Sequence, residues 1–371
     1  MSETPLKLTM IGPSGTGKSC YLYATYFRML EGVAGFNFNC KDYNQARELE
    51  EAWNAILDDG VWPAGNAEGE EYRFACKHNG KPIGEFTWLD YRGGILNETE
   101  SEGSDLSRFL NRAVDSDAIL VCLPTDVLLT AQANDLRAQR RWSRMKNEIL
   151  RILGAVYQRN DAASLVFMIT KSDLCKSQEE GRRCVETIRT AFQQYFIGTP
   201  EYAMIAATRL GRFEGESDDF QQGAEIKGVL DPHNVHLPIL LPFLARARAA
   251  KEERSELSKE ARRLARKPFK DVILGAVIGA SIGFIIALSH KDPGDILFIP
   301  LLAFVGVVVG MAGPFRSEDE YYKEAIKEDI EELETFSNIP TDAIWRELSG
   351  RVELYYQGKR VLSADGKARK A

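Results

Sequence analysis

Two periods of apolar and polar positions alternate along the first two-thirds of the chain. Leu6-Lys7-Leu8-Thr9-Met10-Ile11 alternates as a strand does, and Cys20 to Leu30 continues as an apolar-aromatic helix. The same reading predicts strands at Leu6–Ile11, Glu71–Lys77, Gly84–Asp90, Ala118–Leu123, Ser164–Thr170 and Tyr202–Ala206. It predicts helices at Tyr43–Leu57, near Asp135–Tyr157, at Ser177–Phe196 and from Ile239 onward. Strands interleaved with helices predict an α/β domain over 1–245, with a mainly parallel sheet flanked by helices.

Beyond Arg246 the pattern changes. Residues 246–270 read as a basic helix with ten Lys/Arg, Val272 to Leu288 carries no charge, and a second uncharged run spans Ile296 to Phe315. A membrane-crossing helix takes about 17–25 apolar residues, so 271–316 is expected to form a two-helix transmembrane hairpin. Gly275, Gly279 and Gly283, then Gly306 and Gly310, recur every four residues and suit close helix packing. The basic helix and Arg316 outweigh Lys291 in the turn. The positive-inside rule then predicts a multi-pass protein of the cell inner membrane, its N- and C-terminal parts cytoplasmic and the lipid bilayer a partner. Residues 317–371 are polar and expected to be a small helical tail.

Composition adds bounds rather than chemistry. With 44% hydrophobic residues, 27% charged and a net charge of −7, the chain is globular and acidic, which argues against a nucleic-acid partner. Six cysteines at 20, 40, 76, 122, 175 and 184 show no C-x-x-C spacing and read as reduced thiols. His233 and His236 have no carboxylate or thiol pattern to complete a metal site.

The chemistry begins at the end of the first strand. Gly12-Pro13-Ser14-Gly15-Thr16-Gly17-Lys18-Ser19 has the spacing G-x-x-x-x-G-K-[ST] between a strand and a helix. Its glycines let backbone N–H groups turn inward on phosphates, Lys18 reaches the β- and γ-phosphates, and the Ser19 hydroxyl ligates Mg²⁺. Cys20 follows at the helix N-terminus, where anions bind. Downstream, Asp90 ends an apolar strand and is followed by Tyr91-Arg92-Gly93-Gly94. Another strand ends in Thr170-Lys171-Ser172-Asp173, where a carboxylate can accept from guanine N1–H and its 2-amino group. Ile205-Ala206-Ala207-Thr208 follows the next strand.

In this order the motifs resemble a P-loop GTPase of the Ras-like translation-factor class. Gly60-Val61-Trp62-Pro63 further resembles GTPase-like domains of bacterial conflict systems. The resemblance covers about residues 5–245. It implies a Ras-like sheet and a site for GTP or GDP with Mg²⁺. Asp90 would hold the metal with Ser19, Gly93 would sense the γ-phosphate, Thr170, Lys171 and Asp173 would read the base, and the Ala207 N–H would meet guanine O6. Lys18, Arg92 and Gly93 are the expected catalytic residues, Arg92 as an arginine finger in cis.

Two departures bear on rate. Members of the class use a Thr ahead of the Asp90 strand to ligate Mg²⁺, yet residues 27–85 contain no Ser or Thr, leaving Asn66 as the expected substitute. Gly94 stands where Ras-like proteins place a water-positioning Gln. Slow hydrolysis is therefore expected, stimulated by an activating protein or by self-association. The leading expectation is a membrane-anchored GTP-binding switch, with the acidic Asn97–Asp105 loop as a moving part. A nucleotide-gated, membrane-permeabilising effector and an ATP-using P-loop protein stay open as alternatives.

Overall fold

The computed structural model describes residues 4–63, 69–91, 104–131, 134–198, 200–213, 225–259 and 339–363, with single positions at 327, 333 and 336. The chain divides into one unit of Met1–Ala247 with Ile339–Ala371, and another of Arg248–Asn338. Of the second unit, the described stretch 248–259 is helical, and Arg248 pairs with Glu252 at 3.1 Å.

The first unit is built on a nine-stranded sheet in the order β11-β10-β7-β6-β5-β1-β4-β3-β2. Its members are β1 (Leu6–Ile11), β2 (Phe36–Cys40), β3 (Glu70–His78), β4 (Lys81–Asp90), β5 (Ala118–Pro124), β6 (Ser164–Thr170), β7 (Tyr202–Ala207), β10 (Val352–Tyr356) and β11 (Lys359–Leu362). β1 runs parallel to β4 and β5, β5 to β6, and β6 to β7. Both wings are antiparallel: β4 pairs with β3, which pairs with β2, and β7 pairs with β10, which pairs with β11. β8 (Arg209–Phe213) and β9 (Gly228–His233) form a separate pair.

Each element follows from its sequence. β5 and β6 are buried at every position, as parallel strands are when helices cover both faces. One face packs Ile119, Val121, Leu165 and Phe167 against α5 (Leu136–Tyr157) and α6 (Gln178–Ala191), through Ile149, Leu153 and Ile188. On the other face α1 (Lys18–Glu31) sets Tyr21 5.6 Å from Trp88 and Tyr26 5.8 Å from Phe74, ring to ring. Behind it, α2 (Tyr43–Asp59) stacks Trp53 on Phe27 at 5.5 Å. Asp42, Asp135 and Ser177 cap α2, α5 and α6 by accepting from first-turn N–H groups. Shorter helices are α3 (Asp105–Val114) and α4 (Thr125–Thr130); α7 covers 237–259 and α8 is Thr341–Leu348.

Three expectations require correction. The sheet is mixed rather than mainly parallel, because both wings pair antiparallel. The 317–371 segment is not simply a helical tail: its described part gives one short helix, α8, and then the β10–β11 hairpin that extends the sheet. The transmembrane hairpin, and with it the multi-pass inner-membrane location and the bilayer as partner, is also corrected. Among the described residues no helix is long and apolar enough to cross a membrane. α5 has the length, at 22 residues, but carries Arg137, Arg140, Arg141, Arg144, Lys146 and Arg151. The basic residues Arg246, Arg248, Lys251 and Arg254 fall in α7. The two uncharged runs themselves lie outside the described residues.

Candidate nucleotide-binding site

Five neighbouring strands, β7, β6, β5, β1 and β4, deliver the polar motifs to one edge of the sheet. Gly12–Ser19 follows β1, Asp90 ends β4, Thr125 follows β5, Thr170 ends β6 and Ala207 ends β7. In open α/β sheets ligands bind beyond the carboxyl ends of the parallel strands.

The loop between β1 and α1 is shaped by its glycines. A Cβ on Gly12 would lie 2.8 Å from Thr16 Oγ1 and 3.1 Å from the Cys122 carbonyl, so only glycine fits there. Gly17 sits at the N-cap of α1 with φ 86°, a left-handed conformation that β-carbons resist. No side chain caps this N-terminus, which is where backbone N–H groups face an anion. Thr16 Oγ1 donates to the Pro13 carbonyl at 2.9 Å, while Lys18 Nζ donates to the Gly12 and Pro13 carbonyls at 2.8 and 3.1 Å. Lys18 is buried, and burial lowers its pKa while Asp90 pulls it back up. A desolvated ammonium aimed along a phosphate-sized loop is poised for an anion.

Beside it, Ser19 Oγ donates to Asp90 Oδ2 at 2.9 Å. Asp90 is fully buried, and its pKa is pushed up to about 6 by burial, against the pull of Lys18 and the Ser19 hydrogen bond. Hydroxyl and carboxylate oxygens at this spacing are the hard donors that Mg²⁺ takes, and a divalent charge would hold Asp90 ionised. The residues fit the metal. Cys20, next along α1, keeps its proton: burial pushes its thiol up to about 12.

The β6 end is tied to the phosphate loop. Thr170 Oγ1 donates to the Thr16 carbonyl at 2.8 Å, and Thr125 Oγ1 donates to the Thr170 carbonyl at 2.9 Å. Lys171 then takes a left-handed φ of 54° and leads into the 3-10 turn Ser172–Leu174. Burial lowers the Lys171 pKa, and Asp126 is the foremost group opposing that shift. Asp173 is pushed up to about 6, chiefly by burial, and its Oδ2 is buried with no hydrogen-bond partner among the described residues. Ala207 stands opposite Ile169 in the β6–β7 register. Just beyond it, the Thr208 carbonyl accepts from the Ser172 N–H at 3.2 Å.

Gly12 to Cys20, Asp90, Thr170, Lys171, Asp173 and Ala207 are thus brought to one edge, whereas Arg92, Gly93 and Asn66 lie outside the described residues. Sequence reading missed Thr125 and Asp126. Asp126 pairs with Arg141 at 3.0 Å and faces Lys171, because β5 and β6 end in register at Pro124 and Thr170. The available signal was two polar residues directly after a fully apolar strand. Also missed was Glu70, opposite Asp90 in the β3–β4 register.

The chain matches no family model and no curated protein. Among solved structures it is similar to a signal recognition particle receptor SRb-GTP/SRX complex from Chaetomium thermophilum, at 13% identity and a TM-score of 0.33, over 60% of this chain and 95% of that one. Neither the family models nor the curated proteins bear out the resemblance to conflict-system domains.

Proposed function

We propose that this chain is a GTP-binding switch that hydrolyses GTP slowly with Mg²⁺. The observation that carries the reading is the buried Asp173 Oδ2, without a hydrogen-bond partner among the described residues, on a turn that follows β6, whose last residue, Thr170, is hydrogen-bonded to the phosphate loop. A desolvated carboxylate gains most from N–H donors. Guanine offers two side by side, N1–H and the 2-amino group. Adenine offers its N1 lone pair instead, which a carboxylate repels. Lys18 and the α1 N-terminus supply the phosphate site, and Ser19 with Asp90 would hold the metal, whose charge would offset that of the phosphates. Expected roles at Cys20, Lys171 and Ala207 follow the same placement.

Slow turnover follows from chemistry the chain lacks, since the residue directly after Gly93 is Gly94 rather than Gln. A partner protein or self-association then supplies the group that orients water. The test is fluorescent GDP against fluorescent ADP on the full chain. Selective GDP binding that Asp173→Ala abolishes supports the reading, and equal or stronger ADP binding replaces it with an ATP-using protein.

A further inference from the structure

We infer that Glu70 is a second carboxylate of the divalent-cation site, acting on a cation-held water, and that the Tyr72 hydroxyl positions it. The inference rests on Ser19 and Asp90 being the cation's protein ligands.

Glu70 opens β3 directly opposite Asp90, and Tyr72 lies opposite Trp88 in the same antiparallel register. Residues directly opposed in an antiparallel pair project from the same face with Cβ atoms about 4.5–5.5 Å apart. That face is the one α1 covers, because Tyr21 of α1 packs on Trp88. Ser19 of α1 reaches Asp90 on this same side. Glu70 therefore enters from the β3 side of the pair that Ser19 enters from the helix side.

Its side chain is exposed at the start of β3, and a hydrogen bond from a buried phenol orients it. The Tyr72 hydroxyl donates to Glu70 Oε2. The Tyr72 ring is buried and stacks on Phe74 with centroids 6.3 Å apart, which leaves the phenol little freedom. Burial first, then Glu70, raise the phenol's pKa, so it remains a donor throughout the physiological range.

Two carboxylates opposed across a strand pair repel each other, and such pairs are destabilising unless something offsets them. A divalent cation converts the arrangement into an attractive one. Mg²⁺ is commonly held by one or two carboxylates plus phosphates while keeping several waters, which need acceptors of their own. The strand before β4 is the nearest source of such an acceptor, and residues 27–85 offer no hydroxyl from Ser or Thr. Glu70 is the group that the register supplies.

The experiment measures release of fluorescent GDP from the full chain as free Mg²⁺ is titrated, with an EDTA reference. Glu70→Gln should raise the Mg²⁺ midpoint about tenfold or more, as loss of an outer-sphere partner does. Tyr72→Phe should move it the same way by less, and release in EDTA should be the same in all three proteins. An unmoved midpoint in Glu70→Gln overturns the inference, as does faster release in EDTA, which marks a purely structural effect. If the unaltered protein releases GDP equally fast with Mg²⁺ and with EDTA, the cation site itself is wrong and the inference falls with it. Failure to take up GDP at all removes the proposed function instead.

Discussion

The Thr170 hydroxyl hydrogen-bonds the Thr16 carbonyl at 2.8 Å across 154 residues of chain. It is buried, so neither group has water as an alternative partner. One end is the strand that leads to Asp173 and the other lies inside the phosphate loop. The bond makes the spacing between the Asp173 turn and the Gly12–Ser19 loop a property of the sheet rather than of two loops.

Thr170→Val keeps the β-branched shape and removes the donor, leaving the Thr16 carbonyl unsatisfied. A buried hydrogen bond contributes on the order of 1 kcal/mol, with more lost when a partner is orphaned. GDP affinity should fall about 5- to 20-fold by that arithmetic. Isothermal titration on the full chain measures it, and unchanged affinity would show the two segments to be positioned independently.

Asp173→Asn exchanges one acceptor oxygen for an N–H donor. Guanine's 2-amino group then meets a donor, whereas a base with a carbonyl at that carbon meets a complementary one. The variant should lose guanine nucleotides by at least about 100-fold, a loss of about 3 kcal/mol, and gain xanthine nucleotides. Competition between GDP and XDP reads the exchange. A variant that prefers neither would place Asp173 away from the base.

Acidity should weaken nucleotide binding in a defined window. Free Asp173 and Asp90 both titrate near 6, raised by burial from an ordinary 3.8, and each must be ionised to meet N–H donors or a cation. Binding therefore releases protons below that point, and affinity drops as pH falls through about 6. Each carboxylate contributes at most about tenfold per pH unit. Stability of the ligand-free fold runs the other way. A carboxylate raised above its unfolded value binds its proton more tightly when folded, so the fold gains as pH falls from about 6 toward 4. GDP affinity at pH 5–8 in Mg²⁺ checks the first sign, and the slope should lose one proton in Asp173→Asn.

Apolar periodicity located β1, β4, β5, β6 and β7 because each carries a continuous or alternating buried face, and these strands bear the site. β2 was missed although Phe36-Asn37-Phe38-Asn39-Cys40 alternates apolar with polar, because it is only five residues long and lies at the sheet edge. β10 and β11 were misread because Val352-Glu353-Leu354-Tyr355-Tyr356 follows a helical stretch and its partner, β7, lies about 150 residues earlier, a distance that no local pattern reports. The loop's shape was legible at Gly12–Ser19, where the glycine positions set the backbone. No such signal marked Glu70, whose position opposite Asp90 depends on strand register alone. The uncharged runs beyond 271 gave an expectation from composition, and the helices that the structure describes carry charge along their length instead.

The C-terminal hairpin closes the edge of the strand that ends at Ala207. Five residues of β10 pair with β7, Val352 to Ala206 through Tyr356 to Tyr202. Leu354, Ile344 and Leu348 are fully buried, and the Tyr355 ring packs on Phe196 at 4.8 Å. His236 meets Glu347 of α8 at 3.2 Å, and Tyr21 of the phosphate-loop helix donates to the adjacent Val235 carbonyl at 2.6 Å. Removing residues 339–371 would strip several apolar side chains worth about 1.5–3 kcal/mol each from a fold whose whole margin is about 5–15 kcal/mol. It would also bare the backbone of β7 along its length, an invitation to aggregate. A chain ending at 338 should therefore be insoluble or fail to bind GDP. The milder Leu354→Ala, in the full chain, should cost about 2–5 kcal/mol in urea unfolding. A truncated chain that binds GDP like the full one would show the hairpin to be an ornament of the sheet rather than part of it.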